Sequence, residues 1–86
     1  MSQLSSVKQQ LTSISTDAKS TASGLAGFKS KFSQATNQVS ATIGGTASGA
    51  DKEMIQTLQA AEKQLDAAIT ALQQASQSAS KFAAQL

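Results

Sequence analysis

Apolar and small residues recur along the first half of the chain at alternating steps of three and four. They form two rows with a seven-residue repeat: Leu4, Leu11, Ala18, Leu25, Phe32 and Val39, and then Val7, Ile14, Thr21, Phe28, Ala35 and Thr42. A heptad repeat with two small or apolar positions specifies a helix that packs against a partner along a seam. The pattern therefore predicts a first helix over about 3–43.

The second half of the chain repeats the pattern with better helix formers. Its rows are Leu58, Leu65, Leu72, Ala79 and Leu86, and Met54, Ala61, Ala68, Ala75 and Phe82. Ser48 and Asp51 have the spacing of a capping box at a helix N-terminus. These features predict a second helix over about 50–85.

Glycines separate the two periodic segments. Gly44 and Gly45 can end the first helix in the left-handed conformation that other residues avoid. A turn over about 44–49 between helices of similar length predicts an all-α fold, an antiparallel two-helix hairpin with heptad packing that occupies residues 1–86 as a single domain. Two helices alone offer a thin core, so we expect a homodimer or heterodimer that closes into a four-helix bundle.

Gly24 and Gly27 are the weak point of the first helix, since glycine in a helix interior costs about 1 kcal/mol relative to alanine. Two alternatives follow, a continuous or gently bent helix and a helix that kinks or breaks. The heptad keeps its phase across both glycines, which favours the continuous helix.

The largest apolar side chains on these rows are the candidates for the seam or for a partner-binding surface. They are Leu11, Ile14, Leu25, Phe28, Phe32, Val39, Leu58, Leu65, Leu72 and Phe82. For the three phenylalanines we favour core positions over anchors in a partner's groove, because all three fall on heptad rows.

The composition excludes most chemistry. The chain contains neither histidine nor cysteine, so we predict no catalytic residues, no metal site, no cofactor and no enzymatic activity. Glu62 and Asp66 share a helix face, but two carboxylates are more often part of a solvated surface than of a metal site. The seven lysines are scattered, arginine is absent and the net charge is only +2, which argues against a nucleic-acid partner.

Membrane and export signals are also sparse. No run of 18 apolar residues is present, and the polar positions are rich in serine and glutamine rather than lysine, so neither a membrane span nor a surface-seeking helix is expected. The first residues lack the basic head and apolar core of a secretory signal peptide. We expect a cytoplasmic protein, or one exported without a cleavable signal.

In these features the chain resembles the WXG family of small helical hairpins of type VII secretion. The likeness rests on length, the missing signal peptide, two heptad-like helices and a mid-chain glycine turn. Ile43-Gly44-Gly45 stands where that family has Trp-x-Gly, and Leu86 stands where the family's export tail has an acid four residues after an aromatic, here Phe82. The serine-, alanine- and glutamine-rich composition is most similar to the WXG-like partners of LXG toxins in Gram-positive bacteria.

The resemblance implies a targeting factor or chaperone that binds the helical N-terminal domain of an LXG effector, or a small secreted substrate. Because both signature residues are replaced, it also implies a member of a pair whose partner completes the export signal. A structural subunit such as a secretion-needle protein, which is also a helical hairpin of this size, is the alternative. An amphipathic coat protein on a lipid or polymer surface is a third.

Overall fold

The computed structural model describes residues 3–43 and 49–86, which form two α-helices. Helix α1 spans Gln3–Ile43 and helix α2 spans Gly49–Gln85. The described residues contain no strand, and the two helices pack against each other, which confirms the all-α helical hairpin. Helix α2 begins one residue before the position expected from the sequence. The signature glycines Gly44 and Gly45, and Ser48 of the expected capping box, lie outside the described residues.

Helix α1 runs unbroken through Gly24 and Gly27, in keeping with the continuous alternative. A methyl group placed on either glycine would have no neighbour within 4 Å. Neither residue therefore marks a close approach between the two helices of the hairpin.

Threonines in the helices turn their hydroxyls back onto the backbone. Thr12 donates to the carbonyl of Lys8 at 2.9 Å, and Thr36 donates to the carbonyl of Phe32 at 3.0 Å. This i−4 bond satisfies the hydroxyl without a tertiary partner. It explains how Thr36 can be buried in the seam, with 5% of its surface exposed.

Contacts between the helices establish an antiparallel arrangement. Ser15, near the start of α1, bonds Ser76, near the end of α2, while Lys29 pairs with Asp66 further toward the turn. The Ser15–Ser76 contact places position 15 level with position 76 along the hairpin axis. The resulting rod measures 67 × 17 × 13 Å.

The seam between the helices contains the first heptad row of each helix. Most of its residues are half-buried: Leu11, Leu25, Phe32, Val39, Leu58, Leu65 and Leu72. The seam also contains a second row on each helix. Its residues lie four positions after those of the first heptad row, whereas the second heptad row read from the sequence lies three positions after it. The second row of the seam consists of Ser15, Ala22, Lys29, Thr36 and Ile43 on α1 and of Ile55, Glu62, Ile69, Ser76 and Ala83 on α2, all buried or half-buried.

Among residues 3–43 and 49–86, the buried side chains are all small. The buried apolar residues are Ala18, Ala22, Ala79 and Ala83. They lie with Ser15 and Ser76 at the end of the hairpin away from the turn, where small side chains let the helix backbones approach closely. Among the described residues no large side chain is fully buried, so the hairpin has a narrow seam rather than a filled core.

Candidate interaction surface

The second heptad row of α1 read from the sequence, which runs from Val7 to Thr42, lies outside the seam. Ile14 is 53% exposed and Phe28 is 54% exposed, and the remaining members of that row are also exposed. On α2 the corresponding row ends in Phe82, which is 53% exposed. The core position favoured for Phe28 and Phe82 from the sequence is therefore wrong within this hairpin, whereas Phe32 is half-buried in the seam.

Helix geometry explains why one row is exposed. Each residue advances about 100°, so a position three residues after the first row lies about 60° to one side of it, and a position four residues after lies about 40° to the other side. The two helices meet on the side of the second of these positions. The row three residues on is consequently turned away from the seam.

The exposed rows of the two helices lie on the same side of the hairpin. An antiparallel pair has an approximate twofold axis perpendicular to the plane of the hairpin, and rotation about that axis exchanges the helices while keeping each face in place. Both helices use the same two positions of the heptad in the seam. The position that α1 turns to one face is therefore turned to that same face by α2.

We name the two exposed rows the outer rows and the surface they form the apolar face. The α1 outer row is Val7, Ile14, Thr21, Phe28, Ala35 and Thr42, and the α2 outer row is Met54, Ala61, Ala68, Ala75 and Phe82. Neither row contains a charged residue or an amide. Ala68 is half-buried, and the other members are exposed. Exposed apolar side chains gathered on one side of a small protein are typical of an interaction site.

The opposite side of the hairpin is polar and indented. Shallow grooves run along it, and three of them are lined by described residues that include no member of the outer rows. The first lies between Lys19 and Lys81 and has Ser15, Ser23 and Ser76 in its lining. Hydroxyls and lysines on this side can remain hydrated, whereas the apolar face has no polar group larger than a threonine.

Ser15 and Ser76 bind each other reciprocally across the seam. The Ser15 hydroxyl donates to the Ser76 carbonyl at 2.9 Å, and the Ser76 hydroxyl donates to the Ser15 carbonyl at 2.8 Å. Sequence reasoning missed both residues because serine is common throughout the chain. Their place in the heptad, four residues after Leu11 and Leu72, was the only available signal.

The outer rows contain no charged residue, and Lys29 and Glu62 are half-buried in the seam. Lys29 pairs with Asp66 at 2.6 Å across the helices, and both side chains keep substantial access to solvent. A surface pair of this kind contributes roughly 0–1 kcal/mol. The lysine and the aspartate therefore help to orient the helices without forming a binding site.

The described residues hold no cluster of three or more histidine, cysteine, aspartate or glutamate side chains that could bind a metal ion. Neither helix, over the part of the chain that the structure describes, is long and apolar enough to cross a membrane. The residues of the apolar face are apolar apart from two threonines, so this face offers apolar surface that another molecule can bury.

The signature position of the resemblance is only partly described. Ile43 is the last residue of α1 and is half-buried in the seam, and the two glycines that follow it lie outside the described residues. Comparison of the chain with protein-family models, with curated proteins and with solved structures gives no match.

Proposed function

We propose that this chain is a non-enzymatic, WXG-like protein of type VII secretion that acts by helix-bundle association. Its role would be to target or chaperone an LXG-type effector, or to leave the cell as a small substrate. The observation that carries the association is the apolar face: Ile14, Phe28 and Phe82 are each more than half exposed on one side of the hairpin.

The physical argument is that the hairpin leaves several of its large apolar side chains without cover. Fully burying a side chain such as phenylalanine or isoleucine is worth about 1.5–3 kcal/mol, and the seam gains this chiefly from alanines and half-buried leucines. A second pair of helices on the apolar face would surround the first heptad rows on both sides. Each helix would then use the wide three-position stripe of a bundle helix.

The secretion part of the proposal is supported by the resemblance. It rests on the hairpin with a mid-chain glycine turn, on Ile43-Gly44-Gly45 at the signature position, and on the similarity in composition to partners of LXG toxins. The replaced tryptophan and the missing tail acid favour the role of a partner over that of an independent substrate.

The test is co-expression of the chain with the helical or LXG proteins encoded beside it, followed by size-exclusion chromatography with light scattering. We expect a stable complex that Phe28→Asp disrupts, whereas Asn37→Asp on the polar side leaves it intact. Export of the effector from a Gram-positive host should also require the chain. Failure to bind any neighbouring protein and to form a homodimer would refute the association.

Electron microscopy of the concentrated protein separates this proposal from the needle-subunit alternative. Discrete particles are expected for a closed bundle, whereas filaments would indicate a heterologous contact that does not close.

A further inference from the structure

We infer that the polar groove between Lys19 and Lys81 binds an extended acidic segment of another protein. The segment carries two carboxylates four residues apart, with a small residue midway between them. We name this groove, whose lining also includes Ser15 and Ser76, the lysine groove. It lies on the opposite side of the hairpin from the apolar face, so the inference goes beyond the proposed function.

The lysine groove carries positive charge without an acid. The two grooves nearer the turn both have Asp66 in their lining, whereas no aspartate or glutamate lines the lysine groove. Neither Lys19 nor Lys81 forms an ion pair within the described residues. Two ammonium groups without a counter-charge in the hairpin favour an anionic ligand.

The charge of the chain is uneven along the hairpin. The half away from the turn (positions 3–24 and 67–86) contains the three lysines Lys8, Lys19 and Lys81 and one acid, Asp17. The other half contains four lysines and four acids, so the whole net charge of +2 belongs to the half that holds the lysine groove. Asp17 lies two residues from Lys19, about 200° around α1, and is therefore on the other side of the helix.

The lysine groove is long and narrow. Because Ser15 lies level with Ser76, Ala84 lies level with position 7, and the lining from there to Ala26 covers about 28 Å of helix. A volume of about 860 Å³ over that length gives a mean cross-section of roughly 30 Å². An α-helix with its side chains is about 10–12 Å across, whereas an extended chain is about 5 Å across in its hydrogen-bonding direction. The groove therefore fits an extended segment better than a helix.

The spacing of the two lysines matches an extended chain. Lys81 is five residues after Ser76 and lies level with position 10, nine residues before Lys19. Nine residues of helix rise about 13.5 Å, and four residues of an extended chain span about 13–14 Å. Side chains four residues apart in an extended chain also point to the same side. One carboxylate can therefore reach each lysine.

Between the two lysines the groove offers groups that suit a peptide backbone. Gln73 and Gln77 are one turn apart, about 6 Å along α2, close to the roughly 6.5 Å between alternate residues of an extended chain. Each side-chain amide has a donor and an acceptor for a backbone C=O and N–H, and neither amide is hydrogen-bonded to a described residue.

The bottom of the groove is made of small side chains. Ala22 and Ser76 are buried and Ser15 is half-buried, whereas Lys19 and Lys81 are exposed at the rim. Small residues at the bottom let the backbone of the bound segment approach closely. A large side chain midway between the two carboxylates would prevent this approach, which is why a small residue is expected there.

Fluorescence anisotropy with the full chain tests the inference. The probe is a labelled nine-residue peptide of serine and alanine, with alanine at its centre and glutamate at its third and seventh positions. The control peptide has the same composition with glutamates at the third and sixth positions, which lie on opposite sides of an extended chain. We expect the probe to bind about fivefold more tightly at low salt, since only one carboxylate of the control can reach a lysine. Equal affinities would overturn the inferred spacing.

Charge exchange assigns the binding to the two lysines. The double variant Lys19→Glu/Lys81→Glu should lose the glutamate peptide and bind a peptide with lysines at the same two positions. Lys31→Glu/Lys52→Glu changes the net charge equally at exposed positions outside the groove and should keep the affinity for the glutamate peptide within twofold. Circular dichroism checks that both double variants retain their helices. An equal loss in both would show attraction by net charge alone and overturn the site.

Further measurements separate the lysine groove from the apolar face and from other occupants. Phe28→Asp should leave the affinity for the peptide unchanged, because Phe28 is exposed on the opposite side, and a loss of binding would overturn the assignment to the groove. Displacement of the probe by inorganic tripolyphosphate as effectively as by unlabelled peptide would indicate a general anion site instead. A bound peptide that is helical by transferred nuclear Overhauser effects would contradict the extended occupant. A chain that binds a neighbouring helical protein but neither peptide would overturn this inference and leave the proposed function in place.

Discussion

Ser15 and Ser76 each donate a hydroxyl hydrogen to the other's backbone carbonyl, and their hydroxyl oxygens lie 3.1 Å apart. This reciprocal contact joins residues 61 positions apart in the chain. It lies among the buried alanines at the closely packed end of the hairpin, and it fixes the register of α1 against α2.

Removing this contact should weaken the hairpin. We expect Ser76→Ala to lower the free energy of unfolding by about 1 kcal/mol relative to Ser23→Ala, an exposed serine of α1. The gain in helix propensity from serine to alanine is common to both changes and cancels. Urea unfolding followed by circular dichroism measures the difference. Equal stability of the two variants would show that the bonds contribute nothing net.

A larger residue at the closely packed end should force the helices apart. Ala22 is 3% exposed, and Ala22→Leu should cost about 1–3 kcal/mol through overpacking. Ala67→Leu, on the exposed side of α2, should be neutral or slightly stabilising. Thermal unfolding of the two variants at one protein concentration provides the comparison, and a stable Ala22→Leu protein would contradict the close approach.

The two kinds of heptad row should respond differently to a buried charge. Phe28→Asp on the apolar face should abolish association but leave the helix content of the hairpin, since Phe28 is already more than half exposed. Phe32→Asp and Leu65→Asp in the seam should reduce both association and helix content. Analytical ultracentrifugation and far-UV circular dichroism distinguish the two results. Retained association of all three variants would mean that the rows are wrongly assigned.

The interior glycines of α1 should be replaceable with a gain in stability. Gly24→Ala and Gly27→Ala each place a methyl group in open space and should stabilise the helix by about 1 kcal/mol. Thermal unfolding at a fixed, low protein concentration measures the gain in the hairpin itself. A loss at either position would show that the helix is not continuous there.

Heptad periodicity alone was enough to predict the two helices and the hairpin. A seven-residue repeat depends on local geometry, in which every third or fourth side chain returns to the same face, so rows such as Leu11 to Val39 and Leu58 to Ala79 could be read directly from the chain. The same periodicity placed the first row of each helix in the seam.

The side of that row on which the helices meet was decided only by tertiary packing. Ile14 and Phe28 lie on one side of the first row, and Ser15 and Ala22 lie on the other, and either side could have faced α2. The hydrophobic pattern favoured the larger residues. At its end away from the turn, α1 instead meets α2 with the small ones, because serine and alanine allow the backbones to approach and the two serines to bond across the seam. That choice leaves Ile14 and Phe28 exposed on the apolar face.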